Sequence, residues 1–146
     1  MTKNFTYNEM TRSLTARNRG IDNTPDEQCS ANLEALCQQI LQPIRDAWGA
    51  PIIVSSGYRC PALNKAVGGA AQSDHMYGCA ADIKTVVDTP ERNKELYLLI
   101  KKMYQDGKLP RLKQCIDEYG YDWIHVSFQD GRTKKIGQFV HVQRKR

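Results

Sequence analysis

Apolar residues in the first third of the chain recur every three or four positions, which is typical of amphipathic helices. Thr6 followed by Glu9 forms a capping-box pattern, so we expect a short helix to start there. A longer helix is predicted to begin with Thr24 as its N-cap and Pro25 in the first helical position. Pro43 should bend that helix, because proline removes one backbone donor and clashes with the preceding turn. The apolar face of the helix is formed by Leu33, Leu36, Cys37, Ile40, Leu41, Ile44, Ala47 and Trp48.

The rest of the chain is dominated by patterns typical of strands. They are predicted at residues 51–55, 80–87, 112–118, 123–128 and 137–142. A helix that starts at Thr89-Pro90 and ends near Gly107 separates the second strand from the third. A turn at residues 119–121 should join the third and fourth strands into an antiparallel hairpin. Because helices come first and strands cluster later, we predict an α+β fold with helices packed on a small, mostly antiparallel sheet.

The composition is typical of one soluble globular domain covering residues 1–146, with 40% hydrophobic and 25% charged residues. No apolar run approaches the roughly 20 residues that cross a bilayer, and the polar start lacks the hydrophobic stretch of a secretory signal. We therefore expect no integral membrane contact. The missing signal also predicts a protein that is cytoplasmic as synthesised, and we expect it to be a monomer.

The charge balance favours an anionic partner. Lysine and arginine number 21 against 16 acidic residues, which gives a net charge of +5. Nucleic acid and an acidic cell-wall polymer are the two obvious classes of partner. Part of the excess lies at the basic end of the chain, Arg144, Lys145 and Arg146. The five cysteines include no CxxC pair, so we expect reduced thiols rather than a disulfide framework or a thiolate zinc site.

Two of the three histidines lie close to other residues that could carry chemistry. His75 lies in a glycine-flanked loop, Asp82 near the start of a predicted strand and His125 on another strand. Two imidazoles and one carboxylate leave a fourth coordination position open, which is how proteins hold catalytic zinc. No helical HExxH spacing forces these residues together. Histidines that are simply hydrogen-bonded or exposed therefore stay the alternative.

Three segments contain these candidates, in the order SSGYRCPALN, SDHMYGCAADI and DWIHVSF. The second segment matches the pattern SxHxxGxAxD, and the third matches Trp-x-His. Together they resemble the M15 family of zinc peptidases, which includes D-Ala-D-Ala carboxypeptidases and phage endolysins that act on bacterial peptidoglycan. Residues 23–25 and 41–45 also resemble the cell-wall branch of that family. The resemblance implies an α+β fold of the Hedgehog and D-Ala-D-Ala-peptidase type, with Zn²⁺ as the cofactor.

The resemblance also implies a role for each matching residue. His75, Asp82 and His125 match the zinc ligands of the family. Arg59 matches an arginine that holds the carbonyl or carboxylate of the substrate. Asp122, three residues before the last ligand, matches the general base that activates water.

Strand geometry complicates the role of Asp122. A residue three positions before His125 faces the opposite side of a regular strand, so a turn or bulge would have to redirect it. Glu118, across the predicted turn, is the alternative base. Ser73 is a further candidate, either to bind substrate or to orient His75, although loop serines often bond to the local backbone.

These observations favour a zinc metallopeptidase that hydrolyses peptidoglycan stem peptides, as a D-Ala-D-Ala carboxypeptidase or as an endolysin-type endopeptidase. The expected site of action is the cell wall after release, as for a phage lysin. The alternative is a non-catalytic, zinc-containing cell-wall-binding module of the same fold. No aromatic-rich basic motif or nucleic-acid reading head is evident, so we expect no nucleic-acid partner.

Overall fold

The computed structural model describes residues 1–143, so the basic end of the chain lies outside the described residues. Its helices are α1 (Tyr7–Thr11), α2 (Leu14–Arg19), α3 (Glu27–Leu36), α4 (Gln42–Trp48), α5 (Pro61–Ala66) and α6 (Pro90–Gln105). A π-helical segment covers Cys37–Leu41, and a 3-10 turn covers Asp74–Tyr77. The strands are β1 (Ile52–Ser56), β2 (Ala80–Thr85), β3 (Leu112–Glu118), β4 (Trp123–Phe128) and β5 (Gln138–Val142).

The strands form one five-stranded sheet in the order β1-β2-β4-β3-β5. The pairs β1–β2, β2–β4 and β3–β4 are antiparallel, whereas β3 and β5 are parallel. The predicted α+β class with a mostly antiparallel sheet is therefore confirmed, as is the hairpin of β3 and β4. None of the helices within residues 1–143 is long and apolar enough to cross a membrane.

The start of the long helix differs from the sequence prediction. Asp26, not Thr24, is the N-cap of α3, and its carboxylate accepts a hydrogen bond of 2.8 Å from the backbone N–H of Cys29. The hydroxyl of Thr24 instead donates to Asp22 Oδ1 at 2.6 Å. Because this local hydrogen bond occupies Thr24, the helix begins two residues later than predicted.

The bend expected at Pro43 takes the form of a wider helical turn. The backbone N–H of Gln42 donates to the carbonyl of Cys37, which is the i to i−5 bond of a π-helix. Pro43, the next residue, has no N–H to donate. The helical path therefore continues through the proline, and it keeps its apolar face buried: Leu33, Leu36, Cys37, Ile40, Leu41 and Ile44.

The core lies between these helices and one face of the sheet. Ile83 of β2, Ile124 and Val126 of β4 and Cys115 of β3 point into it and are fully buried. Successive side chains of a strand face opposite sides of a sheet. The intervening residues of β2, β3 and β4 therefore lie on the other face, and the candidate site is built there.

Candidate metal centre

Asp82 and His125 are brought together by strand register. They are directly opposite each other in the antiparallel pair of β2 and β4. Side chains at such positions share a face and lie close together. His125 Nδ1 is 3.1 Å from Asp82 Oδ1.

His75 reaches the same carboxylate from the 3-10 turn. Ser73 caps that turn, because its hydroxyl oxygen accepts a 3.2 Å hydrogen bond from the backbone N–H of His75. The ring nitrogen Nδ1 of His75 lies 2.7 Å from the carbonyl oxygen of Gly57 and is assigned as the donor. The other nitrogen, Nε2, then offers its lone pair and lies 3.3 Å from Asp82 Oδ1. A carbonyl that fixes the tautomer of a ligating histidine is typical of metal sites.

The geometry of these three residues suits zinc. One donor atom from each of His75, Asp82 and His125 lies within 4.8 Å of the others. Donor atoms placed about 2.0–2.2 Å from a tetrahedral zinc ion are separated by about 3.3–3.6 Å. The nitrogen-to-oxygen distances of 3.3 Å and 3.1 Å are close to that separation. Three protein donors also leave the fourth position free for substrate or water.

The charge of Asp82 favours the same role. Burial alone would raise the pKa of this carboxyl, but the adjacent imidazoles of His125 and His75 outweigh burial and hold the pKa below its usual range. Asp82 is therefore an anionic oxygen donor between two imidazoles.

The three residues open onto a cavity of about 560 Å³, here called the metal cleft. Arg59 lines this cleft, and its Nη2 donates to the hydroxyl of Ser73 at 3.4 Å. The Nε of Arg59 is buried and has no hydrogen-bond partner among residues 1–143. Burial lowers the pKa of Arg59, while the nearby charge of Asp82 opposes that shift. The cleft thus contains a guanidinium with unused hydrogen-bonding capacity beside the three metal-binding candidates.

Glu118 lines the metal cleft, whereas Asp122 does not. Glu118 is directly opposite Trp123 in the β3–β4 pair. Because Trp123 and His125 are two residues apart on β4, Glu118 lies on the same face of the sheet as His125. Asp122 lies instead in a separate recess with Lys84 and Asp88. The structure therefore brings together Arg59, Ser73, Glu118 and the three predicted ligands, but not Asp122.

The conformation of the β3–β4 turn explains this difference. Tyr119, Gly120 and Tyr121 all have positive φ angles, of 55°, 73° and 68°. The carboxylate of Asp117 accepts the backbone N–H of Tyr121 at 2.6 Å, and the N–H of Asp122 donates to the carbonyl of Glu118 at 3.0 Å. The left-handed turn takes the place of the bulge that would have redirected Asp122 towards the ligands.

Two supporting residues were missed by the sequence analysis. The side chain of Asn23 donates to the carbonyls of Thr11 and Tyr58 at 2.8 Å and 2.9 Å and accepts the N–H of Cys60 at 2.7 Å. Asn23 therefore holds both residues that flank Arg59. Gly57 supplies the carbonyl for His75, and a Cβ at this position would lie 2.2 Å from the carbonyl oxygen of Met10. The resemblance noted for residues 23–25 included Asn23 but gave no role to its side chain.

A buried ion-pair cluster holds the turn that carries His75. Lys113 Nζ lies 2.9 Å from both carboxylate oxygens of Asp74. Arg132 donates to Asp74 Oδ1 at 2.6 Å and lies over the ring of Tyr77, 3.7 Å from its centroid. Because Asp74 and Tyr77 are the two ends of the 3-10 turn, these cations fix the segment on both sides of His75. Residues this distant in sequence give no local pattern to predict them.

The cysteines do not support a thiol nucleophile. All five are free, in agreement with the predicted reduced state. Cys79, the cysteine nearest to His75 in sequence, is fully buried, and burial raises the pKa of its thiol to about 12. A thiol with such a pKa is almost entirely protonated at neutral pH.

A family model described as peptidase M15 matches residues 3–127. A zinc D-Ala-D-Ala carboxypeptidase of Streptomyces albus G is 38% identical over 81 residues, which are 55% of this chain and 31% of that protein. The match thus spans about a third of the length of this relative. The family match covers most of the chain, all three metal-binding candidates included, and the chain belongs to the peptidase M15 family.

Proposed function

We propose that the chain is a zinc peptidase that hydrolyses peptide bonds in the stem peptides of bacterial peptidoglycan. The observation that carries the proposal is the convergence of His75, Asp82 and His125 in an open cleft. Family membership supports peptide hydrolysis, and the name of the Streptomyces relative supports zinc and a D-Ala-D-Ala substrate. Carboxypeptidase trimming and endopeptidase cleavage would both use these residues.

The three ligands would hold the metal with one position open. Zinc bound there supplies a Lewis acid and makes a nucleophilic water available at neutral pH. His75 and His125 contribute neutral nitrogens, and Asp82 contributes a negative charge that partly offsets the charge of the ion. The hydrogen bond from His75 to Gly57 keeps the imidazole in the tautomer that a metal requires.

Glu118 is the proposed general base. It faces the metal cleft from the strand next to His125, in a position to take a proton from water and to pass it to the leaving amine. Burial raises the pKa of Glu118, an effect that the charge of His125 opposes and that Asp82 and Asp117 strengthen. A raised pKa brings a carboxylate nearer to the range in which a general base works at neutral pH. Asp122, the base implied by the family resemblance, is not proposed because it lies in another recess.

Arg59 and Ser73 are the proposed substrate-binding residues. The planar fork of N–H donors of Arg59, which lines the metal cleft, suits a carbonyl or carboxylate of the substrate. The hydroxyl of Ser73 accepts from Arg59 and also from the N–H of His75, so it links the substrate side of the cleft to the metal side.

Digestion of purified peptidoglycan tests this function. The protein, loaded with zinc, is incubated with peptidoglycan, and the released or shortened fragments are identified by mass spectrometry. We expect stem-peptide products that disappear when the metal is chelated and return when zinc is restored. Intact peptidoglycan after incubation with protein that demonstrably holds zinc would contradict the proposal and would favour a wall-binding module.

A further inference from the structure

The metal cleft does not end at Arg59. On its far side lies a recess of about 300 Å³ that shares Arg59 and Val67 with the metal cleft. A second recess, of about 590 Å³, shares Arg12, Leu14 and Ser55 with the first. Cavities of this size are typical of ligand sites in proteins. The two recesses together are called the N-terminal groove here, because α1 and α2 form one of its walls.

The N-terminal groove is basic. Arg12 lines both recesses, Arg17 lines the outer recess, and Arg59 stands where the groove meets the metal cleft. No aspartate or glutamate lines either recess. Within residues 1–143, the guanidinium groups of Arg12 and Arg17 take part in no ion pair. The groove therefore offers cationic hydrogen-bond donors whose charge the protein does not neutralise.

The groove also has apolar surface. The side chain of Leu14 is 70% exposed and lines both recesses, and that of Val67 is 43% exposed at the junction with the metal cleft. Apolar walls with a few converging polar groups are the usual lining of a binding site. Such a lining suits a peptide, whose aliphatic parts alternate with carbonyl and carboxylate groups.

The walls of the groove are fixed relative to Arg59. Asn23 bonds to Thr11 at the end of α1 and to both neighbours of Arg59. The N–H of Tyr58 donates to the carbonyl of Met10 at 2.7 Å, so α1 is also tied to the chain just before Arg59. A site whose walls are already in place loses less conformational entropy on binding.

We propose that the N-terminal groove is a subsite for a carboxylate-bearing segment of an extended peptide, the part of the substrate that continues past Arg59 from the bond at the metal. This inference rests on the proposed function and deepens it. A substrate that ended at Arg59 would leave the groove empty, whereas one that continues past Arg59 would fill it. The groove thus favours an acidic peptide that extends beyond the residues at the metal.

Binding of matched peptides tests the groove separately from catalysis. A stem peptide is extended at either end by glutamate or by glutamine, and the two versions are titrated into zinc-loaded protein carrying Glu118→Gln. We expect the glutamate version of one extension to bind about fivefold more tightly, because exposed charge pairs contribute up to about 1 kcal/mol. The preference should shrink as salt is added, since exposed charges are screened.

Two arginine variants in the same background, one double and one single, identify the residues responsible. Arg12→Gln combined with Arg17→Gln should reduce the preference to about one. Arg19→Gln removes one positive charge from an exposed position of α2 outside the groove and should leave the preference intact. Equal or undetectable binding of the two peptides, or an unchanged preference in the double variant, would overturn the proposal.

Cleavage by the wild-type protein is scored independently. Preferential binding without cleavage of any peptide would refute the proposed function and leave the groove as a binding site. Cleavage without preferential binding would refute the groove and leave the function.

Discussion

His75 can serve as a metal ligand because of a residue that has no side chain. The carbonyl of Gly57 accepts the Nδ1 proton of His75, and Met10 packs so close to Gly57 that a Cβ would collide with its backbone. Only glycine fits there, so the motif Ser55-Ser56-Gly57-Tyr58-Arg59 supplies both the orienting carbonyl and the cleft arginine. Sequence reasoning singled out the candidate ligands from their residue types and motifs. It did not find Gly57, because the collision is with a residue 47 positions earlier.

A pair of carboxamide variants separates the two candidate bases. Glu118→Gln should retain zinc and lose about 10²–10⁴ in turnover of a stem peptide, because the proton acceptor is removed while the ligands stay in place. Asp122→Asn is the matched control, with the same loss of charge in a recess outside the metal cleft, and should turn over at close to the wild-type rate. The measurements are zinc content and steady-state kinetics. Slow turnover by the Asp122→Asn variant together with normal turnover by the Glu118→Gln variant would identify Asp122 as the general base.

At the scale of elements, the strands could be predicted from the sequence, whereas the conformation of the turn between them could not. The predicted spans of β3 and β4 agree with the structure, because alternation of apolar residues directly reports a half-buried strand. The turn between them depends on three consecutive positive φ angles and on the carboxylate of Asp117, neither of which alternation reports. Strand alternation alone places Asp122 on the side opposite His125, but whether the turn redirects it could not be predicted from that alternation. The predicted N-cap of α3, Thr24, was wrong for a similar reason. Thr24 makes a local hydrogen bond that the sequence pattern does not report, and Asp26 caps the helix instead.

The two cations around Asp74 should contribute unequally to the free energy of unfolding. Lys113→Met leaves a buried carboxylate with Arg132 as its remaining cation and should cost about 3–5 kcal/mol in the free energy of unfolding. Arg132→Gln leaves Lys113, the more deeply buried partner and the one that contacts both carboxylate oxygens, in place and should cost about 1–2 kcal/mol. Denaturant unfolding of the metal-free variants measures both. An Arg132 variant less stable than the Lys113 variant would show that the cluster is organised by the loop and not by β3.

At the scale of the whole molecule, the order of elements was enough to predict the fold class. The location of the positive charge was harder to predict from the sequence. The net charge of +5 predicted an anionic partner but gave no location, and the basic end that drew attention lies outside the described residues. The structure brings Arg12, Arg17 and Arg59 into one groove beside the metal cleft. Arg132, which counts in the same excess, is instead committed to Asp74 and Asp130.

In the proposed function, His75, Asp82 and His125 hold a zinc ion that peptide hydrolysis requires. The most direct measurement is turnover of a defined stem peptide while zinc is titrated into chelator-treated protein, with zinc occupancy followed in the same samples. We expect no turnover without metal, a linear rise that ends at about one zinc per chain, and no rise for Asp82→Ala. Full turnover by metal-free protein, or one tightly bound zinc per chain without any hydrolysis, would contradict the account.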